Sequence, residues 1–208
     1  MRRLRIGVLA SGGGTNLQAI IDACESGEID GDVVVVISNV PEAYALERAR
    51  KHRIPAFAFP HKGVTREAHE KDIIDCLAQH QVDLVALAGY LRMMTPLFIS
   101  TYAGRIMNTH PALLPSFGGK DMHGLLVHQA VIDYGCKVSG CTIHFVTAEV
   151  DGGQIILQKS VPVLEDDTAD MLQERILKEE HKLFPRAIQL FAQGKLKIDG
   201  RRVRILEA

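Results

Sequence analysis

Residues 4–38 read LRIGVLASGGGTNLQAIIDACESGEIDGDVVVVIS, and this stretch decides the fold. An apolar run from Leu4 to Ala10 gives way to three glycines, then to a helical stretch from Asn16 to Cys24, then to a second apolar run from Val33 to Ser38. Runs this continuously apolar are covered on both faces, and the helix between them is the crossover that two parallel strands need. The pattern continues outward with a helix at Ala43 to Lys51, a short strand at Ala56 to Phe59, and a helix around Arg66 to His80 with Ile73, Ile74, Leu77 and Ala78 on one side. Leu84 to Leu87 and Ile106 to Thr109 supply two more strands. The expected class is α/β, a Rossmann-like, mostly parallel twisted sheet with helices on both faces.

Past Gly140 the pattern changes. Cys141 to Val146 and Ile155 to Val161 are separated only by a short segment containing Glu149-Val150-Asp151-Gly152-Gly153, which suits a hairpin-like connection and puts an antiparallel element in the C-terminal half. Thr168 to Gln193 reads as a long helix, capped by Asp167 or Thr168, that Pro185 kinks or interrupts. Leu196 to Leu206 reads as a small β-ribbon. No repeat or linker divides the 208 residues, so they are read as one domain with two functional halves.

Composition narrows the function classes. Apolar residues make up 47% and charged residues 24%, which excludes disorder and coiled coil. Lys and Arg number 24 against 25 acids, leaving no surplus positive field for a nucleic acid. The apolar run behind Arg2, Arg3 and Arg5 is too short for a signal peptide or a spanning helix, so a cytoplasmic protein without membrane contact is expected. Cys24, Cys76, Cys136 and Cys141 lie far apart and read as reduced packing residues, with no zinc spacing. No metal is expected, and the His123 and His128 spacing is no metal pair.

Two constellations carry chemistry. Ser11-Gly12-Gly13-Gly14-Thr15-Asn16 lies between the first strand and the first helix, where backbone N–H groups and the helix N-terminus form a phosphate cradle or, on the plainer reading, only a tight turn. No Gly-Lys-Ser/Thr follows, Leu17 replaces the third glycine of a dinucleotide fingerprint, and Ser38-Asn39 stands where a ribose-binding acid belongs, so a monophosphate is expected. Asn108-Thr109-His110-Pro111-Ala112-Leu113-Leu114-Pro115 follows a strand. Asn108 and His110, two residues apart, fall on one side of that strand's end, where an amide can stabilise an oxyanion and an imidazole can shuttle a proton.

SGGGTNLQAIIDAC (11–24), LAGYLRMM (87–94), NTHPALLPSFGG (108–119), HFVTAEVDGGQIILQ (144–158) and EEHKLFP (179–185), in that order, closely resemble the phosphoribosylglycinamide formyltransferases, the folate-dependent transferases of purine synthesis. The resemblance spans about residues 4 to 193. It implies a nucleotide- and phosphate-binding half at about 1–100, a folate-binding and catalytic half at about 101–208, and 10-formyltetrahydrofolate as co-substrate. It implies Asn108, His110 and Asp151 as the catalytic set, with Asp151 beside His110 favouring the imidazolium; by itself Asp151 reads first as a residue capping its own turn. Gly14, Thr15, Asn16 and Glu180 match positions that hold the ribonucleotide. Arg66, Leu91, Arg92, Met93, Met94 and Val146, with Asn108 and Asp151, match positions that line the folate pocket; Arg66 also reads as a solvated helix-start residue and the two methionines as core filler.

Glu180 has separate support, because Leu172, Ile176, Glu180, Leu183 and Ala187 share one helix stripe and an acid on an apolar stripe is costly unless paired or facing a cavity. Three positions depart from the family: Gly118 and Gln154 stand where Pro is usual or common, and Leu177 where a polar residue often binds the ribonucleotide. They bear on substrate affinity more than on chemistry. The expected reaction is direct attack of the glycinamide amine on the formyl carbon. Other formyl-folate enzymes, acting on initiator methionyl-tRNA or hydrolysing formyl-folate, are the rival enzyme readings, and a non-catalytic nucleotide-binding module is the rival of another class. Partners are small molecules, and the chain is read as a monomer or homodimer.

Overall fold

The N-terminal apolar run forms β1 (Leu4–Leu9), followed by α1 (Thr15–Glu25), β2 (Gly31–Ser38), α2 (Tyr44–Lys51), β3 (Ala56–Ala58), α3 (Arg66–Gln79), β4 (Leu84–Leu87) and α4 (Pro96–Thr101). The structure, a computed structural model, describes residues 2–207. The chain divides between Met107 and Asn108 into two compact units.

In the first unit the strand order is β3-β2-β1-β4 and the pairs β1·β2, β1·β4 and β2·β3 are parallel. Ile6, Val8, Leu9, Val35, Val36 and Ile37 are all fully buried, so consecutive strand residues are covered on both faces, as the continuous apolar runs require. Gly7 has a packing reason: a Cβ there would lie 2.6 Å from Leu77 Cδ2 of α3. The Thr65 and Thr95 side chains accept from backbone N–H groups three residues on, capping α3 and α4. α4 is too short to show a helical period, although Thr95-Pro96 is a helix-start pair.

β5 (Ile106–His110) crosses the division, and its last three residues open the second unit. There follow α5 (Leu125–Asp133), β6 (Val138–Phe145), β7 (Ile155–Pro162), α6 (Ala169–Ala192), β8 (Leu196–Asp199) and β9 (Arg202–Ile205). β6 and β7 pair antiparallel, β9 joins β7 in parallel at Ile155 and Arg202, and β8 and β9 form the terminal ribbon. At Gly140 a Cβ would fall 2.0 Å from the Lys159 carbonyl oxygen, so this hairpin closes only on glycine.

Leu172 and Ile176 of α6 pack on Val131, Cys141 and Val161. Thr168 is the cap of α6, its side chain accepting from Met171 N–H at 3.3 Å. Asp167 instead accepts from Leu164 N–H and pairs with Arg175, Oδ1 to Nη2 at 2.7 Å, which holds its carboxyl below the usual range. Pro185 does not interrupt the helix. One backbone hydrogen bond is lost there, but fully buried Phe184, Ala187 and Ile188 keep the next turn in the core. Among the described residues no helix is long and apolar enough to cross a membrane.

Candidate active site

In the first unit the glycine loop joins β1 to α1. Gly14 sits at the N-cap in the left-handed region, φ 69°. A Cβ there would stand 2.8 Å from Ala45 Cβ, so both conformation and space demand glycine. The Gly12 carbonyl accepts from Ala45 N–H at 3.0 Å and the Gly13 carbonyl accepts from Arg48 Nε at 2.8 Å. With two carbonyls turned onto α2, the start of α1 carries neither a side-chain cap nor an acidic residue in its first turn. That arrangement suits an anion. Arg48, whose Nη1 also donates to Gln18 Oε1 at 3.1 Å, was not evident from the sequence, because nothing local ties residue 48 to residue 13.

Ser11 links this loop to the segment after β4. Its N–H donates to the Gly89 carbonyl at 3.0 Å, and its hydroxyl donates to Asn39 Oδ1 at 2.6 Å while accepting from Leu91 N–H at 3.0 Å. The far end of Leu91 to Met94 is pinned by buried Glu70, whose carboxylate accepts from the Thr95 N–H and hydroxyl. Between these anchors Leu91 is 62% exposed and Met93 47%, with Arg92 and Met94 half-buried. Met93 is therefore not core filler. Arg66 is exposed at the first residue of α3.

The second unit brings an amide, two imidazoles and a carboxylate together. Asn108 and His110 stand two residues apart along β5; Asn108 reaches His144 of β6, and His110 faces Asp151, which lies in the turn between β6 and β7. Buried His110 places Nδ1 3.6 Å from Asp151 Oδ2, and its Nε2 lies 2.8 Å from the Phe117 carbonyl. A carbonyl only accepts, so Nε2 carries a proton and Nδ1 is the nitrogen that faces the carboxylate. Phe117 has φ 52°, costly for an aromatic residue, and this backbone state aims its carbonyl at the imidazole.

Asp151 is itself left-handed, φ 52°, and its Oδ2 accepts from Gly119 N–H at 2.9 Å. It therefore does more than cap its own turn: it ties the turn to the loop after β5. Gly118 is close-packed there, since a Cβ would meet Leu114 at 2.6 Å and Asp151 Cβ at 3.3 Å. The turn is braced on its outer side by the terminal ribbon, where Arg201 Nη1 donates to the Gly152 carbonyl and Gln154 Nε2 donates to the Gly200 carbonyl at 3.4 Å. Gln154, in place of a common Pro, thus supplies one of the ties.

Two histidines complete the cluster. His144 on β6 is 2% exposed; its Nε2 lies 3.2 Å from Asn108 Nδ2 and 3.7 Å from Asp151 Oδ1, and its Nδ1 lies 2.8 Å from the Phe145 carbonyl. Burial lowers its pKa against the opposing pull of the Phe145 carbonyl and Asp151. In the sequence its one signal is its place on a strand beside a motif. His128 on α5 is fully buried, and burial first, then the His110 charge, push it down to about 4. His123 is exposed ahead of that helix, so the two share no environment.

Val146 follows β6 directly and is half-buried. Glu180 is buried on the inner stripe of α6, near enough to Cys141 of β6 that its charge, after burial, helps push that thiol up to about 12. Leu177 is half-buried on the same helix. Among the described residues no three His, Cys, Asp or Glu side chains are grouped to hold a metal ion.

Residues 4–188 match the formyl transferase family. The chain is 42% identical to the phosphoribosylglycinamide formyltransferase of Escherichia coli strain K12, over 96% of each chain. It is 40% identical to the chloroplastic phosphoribosylglycinamide formyltransferase of Arabidopsis thaliana, over 94% of this chain and 68% of that one. Among solved structures, glycinamide ribonucleotide transformylase 1 of Symbiobacterium toebii superposes with a TM-score of 0.94 at 49% identity, covering 99% of this chain and 95% of the other.

Proposed function

The chain belongs to the formyl transferase family, and from that premise we propose that it moves the formyl group of 10-formyltetrahydrofolate onto the amine of glycinamide ribonucleotide, a step of purine biosynthesis. The observation that carries the reading is the gathering of Asn108, His110 and Asp151 around one point of the second unit. An amide donor, an imidazole and a carboxylate are what direct acyl transfer to an amine needs, with no covalent enzyme intermediate.

The attacking amine forms a bond to the formyl carbon, and the carbonyl oxygen becomes an oxyanion. Asn108 Nδ2–H and protonated His110 stabilise that charge. The bond from carbon to the folate nitrogen then breaks, and the proton lost by the amine ends on that nitrogen, with Asp151 accepting and returning it through an ordered water. The phosphate is taken by the N–H groups of Gly14, Thr15 and Asn16, and buried Glu180 serves the sugar–glycinamide part. Arg66, Leu91, Arg92, Met93, Met94 and Val146 serve the folate; exposed Leu91 and Met93 between pinned loop ends support this for the pterin's flat face. Both substrates are small molecules, and the site of action is the cytoplasm.

The test mixes the protein with both substrates and follows unformylated folate together with formylated ribonucleotide. Equal amounts of the two are expected. Folate release without ribonucleotide would establish a hydrolase instead, and no release at all a non-catalytic binding module.

A further inference from the structure

A carboxamide at an oxyanion site works in only one of its two orientations. With Nδ2 forward it donates to the developing charge; rotated by half a turn it presents Oδ1 and repels it. Asn108 lies midway along β5, half-buried, and its side-chain Nδ2 lies 3.2 Å from His144 Nε2. That contact decides the orientation only if the imidazole nitrogen is an acceptor. The other ring nitrogen supplies the answer: Nδ1 lies 2.8 Å from the Phe145 carbonyl, which cannot donate, so Nδ1 holds the proton of the neutral ring. Burial at 2% exposure keeps the ring neutral, and the Asp151 oxygen at 3.7 Å is too far to hold a second proton on Nε2 by a hydrogen bond.

We propose that His144 is a positioning residue for formyl transfer: with its proton committed to the Phe145 carbonyl, its Nε2 accepts from Asn108 Nδ2 and so fixes which end of the carboxamide faces the formyl oxygen. One Nδ2 hydrogen is spent on the histidine, and the second is left for the oxyanion. This rests on the formyl-transfer reading of the same site.

The test is a set of His144 variants assayed for kcat and both KM values, with thermal midpoints measured alongside. His144→Phe removes both ring nitrogens, His144→Asn keeps a donor near Nδ1, and His144→Gln keeps an acceptor near Nε2. His144→Asn and His144→Phe should lower kcat about tenfold with each KM changed less than about twofold, the scale of one lost hydrogen bond in the transition state. His144→Gln should recover most of the rate, an order that stability alone does not produce. Combined with Asn108→Ala, a His144 variant should lose no further activity, whereas combined with His110→Ala it should show its full effect.

Equal rates for the Gln and Asn variants, or an undiminished His144 effect in the Asn108→Ala background, would overturn the proposal. If His144→Phe fails to fold, the Gln and Asn variants carry the same comparison. Wild-type protein that transfers no formyl group to the ribonucleotide would sink the functional reading itself, a result distinguishable from either outcome above.

Discussion

Replacing Thr142 by Val tests how the His110 loop is held. Thr142 is fully buried on β6; its hydroxyl donates to the Ala112 carbonyl at 2.7 Å and accepts from Leu114 N–H at 3.0 Å and Gln158 Nε2 at 3.0 Å. Valine keeps the shape, so no cavity opens, but it strands the Ala112 carbonyl and the Leu114 N–H in a dry interior. Gln158 keeps its bond to the Leu114 carbonyl at 2.9 Å and adds no penalty. Two stranded groups at about 1–3 kcal/mol each, less some relaxation, give a loss of about 2–5 kcal/mol. At about 2–4 °C per kcal/mol for a chain of this size, the melting temperature should fall about 5–15 °C. Activity should fall further than stability explains, because Phe117, which holds His110, belongs to the same loop. Scanning calorimetry of wild type, Thr142→Val and Thr142→Ser decides it. A Val midpoint within about 2 °C of wild type, or a Ser variant that loses as much as Val, would refute the reasoning.

Asn108→Ala and His110→Ala should each lower kcat at least about a hundredfold while isothermal titration still finds both substrates bound; near-wild-type turnover in the histidine variant would remove it from the mechanism. Glu180→Gln should weaken ribonucleotide binding about tenfold or more and leave folate binding unchanged, so calorimetry with each substrate separates an acceptor role from a packing role. The pH dependence of stability follows from His128, whose folded pKa of about 4 lies below the ordinary unfolded value of about 6.5. Its contribution is fully present above about pH 6.5 and declines as pH falls towards the folded value, because only the unfolded chain takes up the proton in that window. Urea midpoints at pH 5.0 and 7.5 should therefore differ more in wild type than in His128→Leu, and an unchanged difference would show that the ring is not held neutral.

The α/β class was legible because β1 and β2 carry consecutive apolar residues buried on both faces, and the later hairpin because Gly152-Gly153 interrupts two β-rich runs. The long helix was legible too, but not its passage through Pro185, since only the burial of Phe184 and Ile188 shows what holds the turn after the proline. At the candidate site, the shared side of Asn108 and His110 was legible from strand spacing, while the nearness of Asp151 to His110 rested on family resemblance, its tie to Gly119 being a contact between residues 32 apart in sequence. His144 and Arg48 went unassigned for one physical reason. Each acts through a partner that only folding brings near, Asn108 across 36 residues and Gly13 across 35. Phe117 gave no sign either, because an aromatic residue is a poor advertisement for a left-handed backbone.

The brace behind Asp151 carries a consequence for how the protein is made. Arg201 grips the Gly152 carbonyl from 49 residues further along the chain, and Gln154 reaches Gly200 from 46 residues before it. Translation runs from the N-terminus, so the first unit, with its local βαβ contacts, can fold while synthesis is still under way. The turn holding the carboxylate emerges well before the ribbon that steadies it. A nascent chain halted before residue 196 would then hold β6, β7 and α6 with Asp151 tied to Gly119 but without its brace from the ribbon, and on the proposed mechanism it should gather its phosphate-binding loop before it reaches full turnover.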